Sequence, residues 1–65
     1  MTATERDLYH GLARTFRTLA RGDLVIAGIA RSKGDRQEAA ARVRLARDRV
    51  REARRWDAVA RMGQA

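Results

Sequence analysis

From Leu8 onward, apolar residues return every three or four positions, at Leu8, Leu12, Phe16 and Leu19. That spacing gathers them on one face of an α-helix, flanked by Tyr9, Ala13 and Ala20, while Arg6, Arg14, Arg17 and Arg21 fall on the opposite side. Thr2-x-x-Glu5 just upstream has the form of a capping box, in which the hydroxyl and the carboxylate satisfy backbone donors that the first helical turn leaves open. The pattern predicts a helix over about residues 3–32. Gly22-Asp23 disturbs it, because Asp23 in a continuous helix falls inside the Leu12–Phe16–Leu19 stripe. A break there, with Asp23 capping a short helix over 24–32, removes the conflict. A single Gly costs a helix only about 1 kcal/mol, however, and Ile26 and Ala30 return to the original face, so a continuous or kinked helix is favoured.

Ser32-Lys33-Gly34-Asp35 is the clear punctuation. Gly34 suits the left-handed position that ends a helix, and Asp35-x-x-Glu38 opens another. Residues 36–62 then run without a breaker, about 40 Å if helical throughout. Ala39, Val43, Ala46, Val50, Ala53 and Ala60 recur at four and three residues and form the expected inward seam, interrupted at Asp57. Strand signals are scarce and Pro is absent. The fold class that follows is all-α, an antiparallel helical hairpin forming a single small domain over residues 1–65. The segment from Gly34 to Ala46 resembles the turn and second helix of a tetratricopeptide-type hairpin, a resemblance that implies hairpin geometry and no function.

A chain of 65 residues gains little from its own core and is usually helped by disulfides, a metal or a partner. With no Cys and a single His, His10, neither disulfides nor a metal site is expected, and no cofactor is implied. Association therefore remains, as a homodimer or as a hairpin docked on a larger assembly. Phe16, Leu45, Trp56 and Val59 are the residues expected at such an interface. Trp56, the only Trp, is expected to close the end of the core against Leu8, Tyr9 or Leu12, or to anchor a dimer seam. Catalysis is not expected, since Ser32 has no base near it in sequence and two helices build no deep pocket. The N-terminal segment carries Glu5 and Asp7 and no apolar core of a signal peptide, and the longest apolar run, Leu24 to Ala30, is too short to span a bilayer. The cytoplasm is the expected location.

Charge sharpens the picture. The net charge is +7, and fourteen of the 15 basic residues are Arg. Residues 1–30 carry four Arg and three acids, whereas residues 31–65 carry ten Arg, one Lys and five acids. Between Arg42 and Arg55 seven Arg meet only Asp48 and Glu52. Arg44, Arg47, Arg51, Arg54 and Arg55 share one side of the second helix, flanked by Arg42 and Arg49. Such a line matches the spacing of a polyanion, and guanidinium groups bridge phosphate oxygens bidentately. The leading expectation is a small basic protein that contacts nucleic acid, mainly through phosphates, with an acidic protein surface as the other polyanionic partner. The alternative is an accessory or inhibitor subunit, of the kind associated with phage, plasmids or ribosomes, docking on a larger protein through its apolar seam.

Overall fold

The computed structural model describes residues 1–63. It contains two helices, α1 over Ala3–Ser32 and α2 over Arg36–Met62, packed antiparallel as an elongated hairpin of 49 × 13 × 9 Å. The capping box forms as its sequence implies. Glu5 N–H donates to Thr2 Oγ1 at 3.1 Å, and Thr2 N–H donates to Glu5 Oε1 at 3.3 Å. The backbone bond from Thr2, then its hydroxyl, hold the Glu5 carboxyl below the ordinary Glu range. α1 then continues through Gly22 and Asp23 without a break.

The turn is a Schellman motif. Asp35 N–H reaches back to Ala30 C=O at 2.9 Å and Gly34 N–H to Arg31 C=O at 3.0 Å, satisfying carbonyls that the helix end leaves open. Gly34 sits at φ +79°, a left-handed conformation that favours glycine. Asp35 also caps α2, its carboxylate accepting from Glu38 N–H at 3.0 Å. The reciprocal arm of a capping box is not made: the Asp35 N–H already serves Ala30, and the Glu38 carboxylate accepts from Arg42 Nε at 3.0 Å.

Alanine makes the core. Ala13, Ala20 and Ala27 on α1 repeat every seven residues, as do Ala39, Ala46, Ala53 and Ala60 on α2, and with Ala30 all are at most 6% exposed. No large side chain among the described residues is fully buried. This corrects the expectation for α1. Leu8, Leu12 and Leu19 stand 64%, 41% and 42% exposed, while only Phe16 of that stripe turns partly inward. Methyl groups repeated in step on both helices let the backbones approach more closely than a leucine seam allows. On α2 the predicted seam holds at its alanines, whereas Val43 and Val50 lie half-buried at its edge.

The second row of the seam, Tyr9, Phe16, Asp23 and Ala30, also advances by sevens, and it puts Asp23 inside the interface at 5% exposure. Burial of a lone carboxylate is prohibitive, so partners must follow it in. Arg42 Nη1 donates to Asp23 Oδ1 at 3.3 Å and Arg49 Nε to Asp23 Oδ2 at 3.1 Å. Both arginines leave about a third of their side chains exposed (34% and 32%), so the charge is handed outward from the seam.

Asp57 plays the mirrored part from α2, accepting from Arg17 and sharing a 2.9 Å bond with His10 Nδ1. The Arg17 bond, then the His10 bond, hold its carboxyl below the ordinary Asp value of 3.8. Next to it Tyr9 and Trp56 stack with ring centroids 5.5 Å apart and planes 4° from parallel, closing the end of the hairpin opposite the turn.

Two outcomes follow. Ala53→Leu, at a site with 0% exposure, is expected to destabilise the hairpin by about 1–3 kcal/mol in urea denaturation although it adds apolar volume. Because its carboxyl is depressed when folded, Asp57 contributes stability that is fully present above the ordinary value of 3.8 and lost as pH falls through its folded value. The melting-temperature gap between the native chain and Asp57→Asn should therefore close in acid.

Candidate nucleic-acid interface

A seven-residue repeat that spends two rows on the seam leaves the outer rows of α2 for arginine. Arg44, Arg47, Arg51 and Arg54 advance by three, four and three residues on that outer side, and all four are exposed. The run from Arg44 to Arg54 covers about 15 Å of helix. Arg55 lies beside it, its guanidinium 5.4 Å from the centroid of the Trp56 ring.

Two open grooves run along this side. One, near the turn, is lined by Arg31, Arg36, Arg44 and Arg47 over a floor of Ala39, Ala40 and Val43. The other has Leu24, Val43, Ala46 and Val50 beneath Arg47, Arg51 and Arg54. Both grooves include Val43 and Arg47, so they join into one channel with an apolar floor and a basic rim. From Arg36 to Arg54 it follows α2 for about 27 Å.

The charges are not equally free. Arg51 is bonded to Asp48, and Arg55 Nη1 lies 3.8 Å from Glu52 Oε1. Such exposed pairs on one helix face contribute little and exchange readily for a better anion. Arg31, Arg36, Arg44, Arg47 and Arg54 have no carboxylate partner among the described residues. Arg42 and Arg49, expected as flanks of the basic stripe, are instead drawn to Asp23. The Arg42 guanidinium is pushed above its usual range by the Glu38 bond first and by Asp23 after it.

Of the residues expected at a partner interface, the structure brings Phe16 and Leu45 together. Phe16 and Leu45 line a small groove with Asp48, Arg49 and Glu52. Trp56 is half-buried against Tyr9, one of the neighbours expected for it, and Val59 is half-buried nearer the C-terminal end of α2. Sequence reasoning missed Arg31 and Arg36, which lie outside the dense arginine window but bracket the Schellman turn that folds them toward Arg44 and Arg47. His10 meets its acidic neighbour Asp57 from the other helix, 47 positions away, a pairing that local spacing on α1 does not reveal. Among the described residues no group of His, Cys, Asp or Glu could hold a metal ion, and no helix is long and apolar enough to cross a membrane. Arg6 Nε and Trp56 Nε1 are buried without a hydrogen-bond partner among the described residues.

Comparison with protein-family models, curated proteins and solved structures found no match for this chain.

The two arginine classes should separate by experiment. Removing Arg42 and Arg49 together, as Arg42→Ala/Arg49→Ala, leaves the Asp23 carboxylate unpaired in the seam. Its denaturation midpoint is expected to fall by more than the two single changes combined, because either arginine alone still pairs the carboxylate.

Proposed function

We propose that this hairpin binds nucleic acid along the outer side of α2, reading phosphates rather than bases. The carrying observation is the basic-rimmed channel in which Arg31, Arg36, Arg44, Arg47 and Arg54 have no carboxylate partner among the described residues. Gathering uncompensated guanidinium groups along one side is unfavourable in isolation and becomes favourable when a polyanion replaces its condensed counterions. Arg44, Arg47 and Arg54 are assigned the phosphates directly, with Arg51 and Arg55 joining by leaving Asp48 and Glu52. Arg31 and Arg36 extend the contact past the turn. Arg42 and Arg49 are assigned to the fold instead.

Backbone reading is favoured over base reading by the side chains on offer. The outer side of α2 supplies Arg and Ala, while Asn is absent and Gln occurs only at Gln37 and Gln64. The amide pairing to adenine therefore has few candidates, although Arg can still favour guanine edges.

Anisotropy titrations of labelled duplex DNA and single-stranded RNA test this reading. On the duplex, neutralising about seven phosphates gives a slope of log K against log salt near −6.3, so affinity should fall roughly 6,000-fold between about 50 and 200 mM salt. Arg44→Ala/Arg47→Ala/Arg54→Ala should retain the helical circular dichroism spectrum and flatten that slope by about one per arginine removed. Absence of binding to either probe at the lower salt would overturn the proposal.

A further inference from the structure

One exposed flank of α1 carries no charged residue between Leu8 and Ile29, the exposed Arg14, Arg17 and Arg21 falling on the other flank. Leu8, Leu12, Leu19, Val25, Ile26 and Ile29 stand there at 64, 41, 42, 63, 38 and 51% exposure. Leu8, Leu12, Thr15, Leu19, Gly22, Ile26 and Ile29 advance by four and three residues throughout, the rhythm with which one helix packs on another. The face is about 32 Å long. In a chain of net charge +7, an uncharged strip of this length on one helix needs a cause.

We infer that this face is the interface with a second copy of the chain, packed antiparallel, α1 on α1, about a twofold axis beside Thr18 and Leu19. Three observations on α1 select that occupant. The face reads alike from both ends: Leu8 is placed like Ile29, Leu12 like Val25, and small Gly11 like bulky Ile26. An antiparallel copy thus sets Ile26 of one chain over Gly11 of the other, where a hollow is lined by Leu8, Tyr9, Leu12 and Thr15 together with Glu5 and Asp7. Second, a Cβ at Gly11 or Gly22 would meet nothing within 4 Å, so the hairpin itself has no packing need for glycine at these helical positions. Close approach of another helix supplies the need. Third, the charges resume at the ends with opposite signs. Glu5 and Asp7 lie in the first turns, and Lys33 lies just past the last. Antiparallel packing brings each acidic end beside the partner's basic end, whereas a parallel copy sets Glu5 and Asp7 against themselves.

The inference does not rest on phosphate binding, since none of its residues lines the arginine channel. It also gives the alanine-only core a second apolar layer.

The test is sedimentation equilibrium of the full chain without nucleic acid, together with cysteine cross-linking. The native chain should sediment at twice its 7.3 kDa mass. Leu19→Glu, at a site exposed in the single hairpin, should sediment at the single mass with helical circular dichroism retained. Because the sequence has no Cys, introduced thiols report alone. Thr18→Cys or Leu19→Cys should form a disulfide-linked dimer on mild oxidation. Leu8→Cys and Ile29→Cys should each fail to do so alone and should cross-link when mixed. Cross-linking needs no destabilising change, so it decides the matter even where Leu19→Glu unfolds. A single-chain mass at about 100 μM would overturn the inference, as would self-linkage of Leu8→Cys, which marks a parallel pair. Single-chain mass together with binding to vesicles of anionic lipid would overturn it in favour of a membrane surface.

Discussion

Everything in this hairpin follows from how closely two helices can approach when alanine repeats every seventh residue on both. The close seam fully buries no large side chain, so Tyr9 and Phe16 stay half-buried along it and the other bulky apolar residues lie at its edges or beyond. It also brings the opposing backbones and flanking side chains near enough for Asp23 to receive two arginines and for Asp57 to receive Arg17 and His10. A repeat of identical methyl groups is, however, indifferent to a slip of seven residues. The short Schellman turn and the buried Asp23, held between Arg42 and Arg49, exclude that slip together. Buried charge here specifies one arrangement among several that alanine alone would accept.

Most of the local structure was legible in the sequence. Thr2-x-x-Glu5, Gly34 and Asp35-x-x-Glu38 are caps and turns whose chemistry is complete within a few residues, and both helices fall where these signals put them. The alanine seam of α2 was equally plain. What misled was size. On α1 the leucines carry the stronger apolar signal, yet the fold closes on Ala13, Ala20 and Ala27, because the choice of face depends on what the other helix offers. Asp23 was read as a fault in the leucine stripe, when it belongs to the row of Tyr9 and Phe16 and marks the true interface.

The candidate site was legible as a stripe and not as a channel. Periodicity on a single helix finds Arg44, Arg47, Arg51 and Arg54, but it cannot show that Arg42 and Arg49 are already committed to a carboxylate 19 and 26 positions away. Nor can it bring Arg31 across the turn. The structure divides arginines of one composition into those that hold the fold and those left over, a division set by the positions of only two inward-facing acids, Asp23 and Asp57. The resulting molecule carries two contrasting strips, guanidinium groups on the outer side of α2 and aliphatic side chains along one exposed flank of α1.

The stacked pair at the open end has an optical consequence. Trp56 is the sole indole in the chain, lies flat on Tyr9, and has the Arg55 guanidinium over its ring. Its emission is therefore sensitive to the parting of the helix ends furthest from the turn, whereas far-ultraviolet dichroism averages over both helices. Together the two signals distinguish a hairpin that splays open while still helical from one that melts as a whole.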